Sequence, residues 1–371
     1  MSWARYFLLV TLLATLCCET ACSKDDEGKT GLASPKFNYG VNFIWWFQAE
    51  SVEEMYYDRF SKSDFEHIAQ MGGGIVRLPI SFDSMTSGAP DYTIDPNLLA
   101  RLDFVIEWAE DAGIYLIIDN HLINADNGYF DHIEPFLTKV WTQLAERYKD
   151  RSELILYEIC NEPHTTTDQA WGEIQQAVID AIRQKDTKHT IIVTSNNWSN
   201  YAKLEQLPCY TDDNLIYTFH FYDPMIFTHQ AADWEHYRDI RNLPFPYDAD
   251  RMPVLPTGYE PGWVKEMLDN QYISIGKVSA LKEAMDLAIA FRDSRNVRIF
   301  CGELGVLMDS APATDRIFWY ETVTSMLREN QIPYTLWDYK YNFGLFNTPN
   351  SQKFPEDLNK ELIQAMGWKI P

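Results

Sequence analysis

The stretch 154-LILYEICNEPH-164 decides how this chain is read. Residues 154 to 160 form an apolar run, β-branched and aromatic, with a single charge at Glu158. That composition suits a buried strand. Asn161-Glu162-Pro163 then stops the run with an amide, a carboxylate and a proline that has no N–H for a sheet ladder. Such a break is either a plain strand terminus or a strand presenting polar groups to a cleft. Whether other strands end the same way separates the two readings.

They do recur. The apolar runs 38-NYGVNFI-44, 75-IVRLPI-80, 114-IYLIID-119, 154-LILYEI-159, 190-TIIVTS-195, 214-NLIYTFHF-221, 297-VRIFCG-302 and 332-IPYTLW-337 read as eight strands. Between them lie amphipathic stretches over 63–72, 96–113, 131–150, 168–186, 275–293 and 313–330, which read as helices. Strands apolar on both faces, alternating with helices, imply a parallel sheet covered by helices on its outer side. Eight such units predict a single (β/α)8 TIM barrel with a long loop after strand 6. A doubly wound sheet is the competing architecture, but no glycine-rich phosphate loop follows the first strand.

In such a barrel, chemistry gathers at the C-terminal ends of the strands, because the following loops build that face. Strand 2 carries Arg77, strand 3 ends in 119-DNH-121, and strand 4 in Asn161-Glu162. Strand 6 ends in 220-HFY-222, strand 7 in 302-GE-303, and strand 8 in Trp337. Taken singly, Arg77 reads as a salt bridge, His121 and His220 as core imidazoles, and Trp337 as core. Together with two carboxylates on well-separated strands, they read as one site.

Composition narrows the chemistry. The formal net charge of -23 argues against nucleic acid and against an anionic membrane surface as partners. It suits a neutral substrate. Twelve tryptophans exceed what a core usually needs, and sugars stack on exposed indole faces. Strands 1 and 5 end in 42-NFIWW-46 and 194-TSNNW-198, which are poor in metal ligands, and there is no CxxC or HExxH spacing. No metal and no cofactor are expected. Cys160 and Cys301 each lie two residues before a glutamate and read as buried free thiols.

The N-terminus reads as an address. Arg5 precedes the apolar run 7-FLLVTLLATLCC-18, which is too short to span a bilayer and has signal-peptide proportions. The following 19-ETACSKDDE-27 resembles a bacterial lipoprotein signal with Cys22 as the lipid-bearing residue, and its acidic stretch is similar to surface-export signals of Bacteroidetes lipoproteins. The expectation is a signal peptide over 1–21, a lipidated tether over 22–36 and a catalytic domain over 37–371. The protein would be exported as an outer-membrane or cell-surface lipoprotein, otherwise periplasmic or secreted. It would be monomeric and meet a membrane only through its lipid anchor.

The motifs 74-GIVRLPI-80, 113-GIYLIIDNH-121, 154-LILYEICNEPH-164, 217-YTFHFYDP-224, 299-IFCGELG-305 and 335-TLWDYK-340, in this order, resemble glycoside hydrolase family 5. The resemblance implies a retaining glycosidase with Glu162 as acid/base and Glu303 as nucleophile. Two carboxylates about 5 Å apart break a glycosidic bond with net retention. Arg77 and Tyr222 are then the donors that keep Glu303 ionised, and Asn161 binds the sugar 2-hydroxyl. His121 and His220 contact hydroxyls and the acid/base, and Trp337 is the stacking floor. Trp45, Trp46, Trp198, Trp263 and Phe343 are further subsite aromatics to test, and Phe227, Trp234 and Trp263 are placed to wall the cleft. The leading expectation is an endo-β-1,4-glucanase. β-Mannanase and exo-β-1,3-glucanase are alternatives within the family, and a non-catalytic surface glycan-binding lipoprotein is the alternative from another class.

Overall fold

The computed structural model describes residues 37–122, 133–255 and 258–371. Eight parallel strands close into a barrel in sequence order. They are β1 (Tyr39–Asn42), β2 (Ile75–Ile80), β3 (Tyr115–Asn120), β4 (Ile155–Glu158), β5 (Thr190–Thr194), β6 (Leu215–Phe221), β7 (Arg298–Leu304) and β8 (Tyr334–Leu336). Each expected strand is present, with ends shifted by at most two residues. Helices Lys62–Gln70, Pro96–Ala112, Ile133–Tyr148, Asp168–Arg183, Val278–Arg295 and Ala313–Glu329 coincide with the six expected ones. The part of the third expected helix at 131 and 132 lies outside the described residues.

Local chemistry explains where the helices begin. Asp95 caps Pro96–Ala112 by accepting from the Asn97 N–H, with Pro96 at the first helical position, where its missing donor costs nothing. Thr167 caps Asp168–Arg183 by accepting from the Ala170 N–H. Gly113 ends its helix at φ 67°, a left-handed conformation that favours glycine.

Alternation along the strands builds the barrel interior in layers. At the N-terminal end, Ile75, Ile117, Leu156, Ile192, Ile216 and Phe300 pack with Phe37 into an apolar plug. Two residues further along, the same strands turn inward Arg77, Asp119, Glu158, Thr194 and Thr218, and the layer is polar. All five are buried. Buried charges at this depth must be paired, so the polar layer is a network rather than a set of isolated groups.

One irregularity positions the site. Between β6 and β7 the register steps from Phe219↔Cys301 to His220↔Glu303, which leaves Gly302 as an extra residue on β7. The Gly302 carbonyl accepts from Asn42 Nδ2 (3.1 Å) and Thr335 Oγ1 (2.5 Å), which fixes the bulge. The bulge sets Glu303 beside His220.

The β5 exit holds no long helix. A short turn at Asn196–Ser199 leads into a 3-10 segment, Tyr201–Gln206. Among the described residues, the long loop after β6 carries the short turn Met225–Thr228 and a continuous helical stretch that runs from Gly262–Glu266 through a π-helical segment, Met267–Gln271, into Tyr272–Ile275, before Val278–Arg295.

Candidate active site

Arg77 organises the mouth of the barrel. Its guanidinium forks onto Glu158 through Nε (2.7 Å) and Nη2 (2.9 Å). The same group donates from Nη1 to Glu303 Oε1 (2.8 Å) and Asn42 Oδ1 (3.0 Å), and from Nη2 to Asn161 Oδ1 (2.8 Å). Asp119 Oδ2 lies 3.0 Å from Nη2. Each hydrogen bond is charge-assisted on at least one side, and a planar fork holds partners that a lysine could not. The neighbouring carboxylates hold the guanidinium well above its ordinary pKa despite burial.

The two glutamates meet across the barrel. Ligand-capable atoms of Glu162, His220 and Glu303 all lie within 4.8 Å of one another. Their surroundings differ. Glu303 receives Arg77 on Oε1 and the Tyr222 hydroxyl on Oε2 (2.8 Å), and its side chain is 6% exposed. Glu162 is 29% exposed at its side chain, and its Oε1 sits 2.6 Å from His220 Nδ1. Burial pushes both carboxyls up from the ordinary range. His220 and Arg77 oppose this at Glu303, and His121, Arg77 and His164 oppose it at Glu162. A carboxylate with two donors, one of them a cation, ionises first, and its charge then disfavours ionisation of its neighbour. The geometry therefore favours ionisation of Glu303 ahead of Glu162. Glu162 also stands at φ 41°, a strained backbone for a side-chain-bearing residue and of the kind that gathers at functional sites.

His121 and His220 are both neutral groups here, each lowered to about 4 chiefly by burial. His121 Nδ1 lies 2.9 Å from Asp119 Oδ2 and its Nε2 3.5 Å from Asn161 Nδ2. With Nδ1 protonated toward Asp119, Nε2 is left as an acceptor facing the mouth. The His121 ring stacks on Trp337 at 5.6 Å and 17°. All eight side chains singled out at strand ends thus gather at one mouth: Arg77, His121, Asn161, Glu162, His220, Tyr222, Glu303 and Trp337.

Residues 38–343 match the family model for cellulase, glycosyl hydrolase family 5. The chain belongs to glycosyl hydrolase family 5. It is an O-glycosyl hydrolase by that membership. Endoglucanase 3 of Fibrobacter succinogenes is 29% identical over 351 residues, covering 88% of this chain and 52% of that protein, so the chain spans about half the relative's length. Endoglucanase C of Acetivibrio thermocellus is 28% identical over 337 residues, with 87% of this chain and 97% of that protein covered. The endoglucanase Cel5A of Thermotoga maritima superimposes with a TM-score of 0.74 at 25% identity, covering 89% of this chain and 96% of that one.

Several side chains of this family 5 site escaped the sequence reading. Glu158 was visible only as a charge in an otherwise apolar strand, and Asp119 only as part of the polar end 119-DNH-121 with no role of its own. A charge in a parallel strand covered by helices must face the barrel interior and find a partner there, and that signal would have placed both beside Arg77. Asn42 carried no comparable signal.

The subsite aromatics divide. Trp46 is buried and stacks on Trp108, Phe343 is buried against Ala232 and Leu307, and Phe227 is buried against Phe245, so these three are core. Trp45, Trp198, Trp234 and Trp263 are exposed. Trp198 is held out by a left-handed run at Asn197, Trp198 and Ser199, with φ of 63°, 59° and 53°. Its N–H donates to the Pro163 carbonyl (3.1 Å) and its ring stacks on His164 at 4.8 Å and 9°, beside the Glu162 loop. Cys160 and Cys301 are buried free thiols. Cys22 lies outside the described residues.

Proposed function

We propose that the protein is a retaining endo-β-1,4-glucanase in which Glu303 is the nucleophile and Glu162 the acid/base. The observation that carries this reading is the close approach of two carboxyls with unequal donors. Carboxyls separated by about 5 Å leave no room for an attacking water between them, which favours double displacement over inversion. Glu303 attacks the anomeric carbon while Glu162 gives its proton to the leaving oxygen. A water then enters, Glu162 takes its proton, and the glycosyl-enzyme bond breaks. Asn161 is oriented by Arg77 for the sugar 2-hydroxyl, His121 Nε2 accepts from a sugar hydroxyl, and Trp337 lies under the ring at the cleavage point.

The endoglucanase names of the Fibrobacter and Acetivibrio relatives support a β-glucan. Exposed Trp45, Trp198, Trp234 and Trp263 are suited to stacking several sugars, and the acidic surface suits a neutral polymer. Thermotoga maritima Cel5A has also been crystallised with mannotriose, so mannan belongs in the test. Carboxymethyl cellulose, mixed-linkage glucan, mannan, laminarin and xylan are each incubated with the enzyme, following viscosity and product size. A rapid viscosity drop on a glucan is expected. Release of single sugars alone, or activity confined to mannan or laminarin, would overturn the endo-glucanase assignment. We further read 1–21 as a lipoprotein signal peptide, 22–36 as a tether lipidated at Cys22 and 37–371 as the catalytic domain of an exported protein, on the strength of 20-TAC-22 and its acidic flank.

A further inference from the structure

His220 has two ring nitrogens, and the mechanism uses one. Nδ1 faces Glu162 Oε1 at 2.6 Å and lies 3.6 Å from Glu303 Oε2. Nε2 is buried and has no hydrogen-bond partner among the described residues. The Thr218 hydroxyl is in the same condition, fully buried and unpartnered among the described residues. Other buried side-chain atoms, Asp119 Oδ1 among them, also lack a partner among the described residues, but two such orphans side by side on one strand face call for a common explanation, because nearly all buried polar groups are paired.

The two orphans face one point. Thr218 and His220 are two residues apart on β6 and share its inward face. A Cβ built on Gly302 would stand 2.7 Å from Thr218 Oγ1 and 3.2 Å from His220 Nε2. The bulged glycine is thus what allows both side chains to close on the same spot. Any other residue there would push one of them aside.

We propose that Thr218 is a positioning residue for the acid/base, its hydroxyl accepting from the Nε2–H of His220 through one water. The inference rests on the reading of Glu162 as acid/base. A neutral imidazole carries one proton, on either nitrogen. When Nε2 carries it, Nδ1 offers a lone pair to Glu162 Oε1, and that contact is satisfied only if Glu162 is a carboxylic acid. When Nδ1 carries it, the contact is satisfied by a carboxylate. An acceptor at Nε2 therefore favours the tautomer that keeps the proton on Glu162. The other charged or titratable groups that act on His220 are Glu303 on β7, Arg77 on β2, Glu158 on β4 and His121 after β3. All of them stay in place when Thr218 is changed.

The test is the isosteric Thr218→Val, with Thr218→Ser as the conservative control and Gly302→Ala as an independent way to displace the pair. For Thr218→Val, the alkaline limb of kcat/KM on cellobiosides with poor leaving groups moves down by roughly one pH unit, so activity above the optimum falls roughly tenfold. Cellobiosides with good leaving groups, which need no proton in the first step, keep wild-type kcat/KM. Thr218→Ser restores the wild-type limb, and Gly302→Ala shifts it as Thr218→Val does. Nitrogen-15 NMR of the histidines finds His220 as the Nε2–H tautomer in the wild type and not in Thr218→Val. An unmoved limb in both Thr218→Val and Gly302→Ala overturns the proposal, as does an equal loss on all leaving groups at every pH. Failure of the acid/base reading itself is separate, since Glu162→Ala would then lose good and poor leaving groups alike.

Discussion

Replacing Arg77 by methionine keeps the apolar stem and removes the cation on which the site is built. The guanidinium is fully buried and holds Glu158, Glu303 and Asp119 within 3.0 Å. Two charges about 4 Å apart interact by about 4 kcal/mol at an effective dielectric of 20. Losing that support pushes the Glu303 carboxyl further up from its ordinary range. The lost charge-assisted hydrogen bond alone is worth about 1.5–3 kcal/mol. Glu303 then holds its proton to higher pH, and kcat/KM falls by about two to three orders of magnitude at neutrality. The fall should lessen as pH rises, because the acid limb moves up. Stability responds in the opposite sense. Carboxyls whose folded pKa is raised bind more protons folded than unfolded, so the variant loses stability as pH climbs from about 4, where unfolded carboxylates ionise. Removing one partner of a buried pair costs about 3–5 kcal/mol, and that deficit should be largest near neutrality and smallest in acid. The assays are the pH profile of kcat/KM on an aryl cellobioside with a good leaving group, and calorimetric melting across the same pH range. Arg77→Lys, which keeps the charge but not the fork, should fall between wild type and Arg77→Met. An unmoved acid limb in Arg77→Met, with melting parallel to wild type at every pH, would refute the reasoning.

Three more outcomes follow from the same structure. Trp198→Ala should raise KM on long glucans roughly five- to tenfold, the worth of one aromatic stack, while leaving kcat/KM on aryl cellobiosides unchanged; steady-state kinetics on a chain-length series checks this. Burial raises Asp119 to about 7, so the folded state keeps a proton there that the unfolded chain has lost, and stability falls as pH rises from about 4 toward 7. Asp119→Asn should flatten that decline, by at most on the order of 3–4 kcal/mol, in melting curves taken across the window. Cys22→Ser should move the protein from membrane to soluble fractions with activity intact, and unchanged fractionation would contradict the lipoprotein reading.

The barrel was legible because parallel strands under helices leave a blunt signal: apolar runs of six to eight residues, most of them ended by polar groups. The eight mouth residues were legible only as a set, because singly Arg77 reads as a salt bridge, the histidines as core imidazoles and Trp337 as core. What lay beneath them was harder to see. Glu158 and Asp119 sit inside strands, where sequence shows a charge but not the partner that makes it tolerable. The bulge at Gly302 depends on register between β6 and β7; a glycine in 297-VRIFCG-302 hints at a bulge but not at the pairing that makes it one. Aromatic residues misled in the other direction. Trp46 sits next to the exposed Trp45, and Phe343 lies in the loop after β8; only packing against Trp108 and Leu307 marks these two as core. The β5 exit was opaque because a left-handed run of Asn, Trp and Ser follows no propensity and is held by contacts to the neighbouring Pro163 and His164.

Trapping the glycosyl-enzyme tests the central claim most directly. A 2-deoxy-2-fluoro cellobioside with a good leaving group slows both steps but spares the first enough for the intermediate to accumulate. The protein is digested after inactivation and the labelled peptide sequenced by mass spectrometry. The account predicts one fluorocellobiosyl group per chain, on Glu303, with turnover of natural glucan giving the retained anomer. A label on Glu162, or no label together with an inverted product, would contradict it.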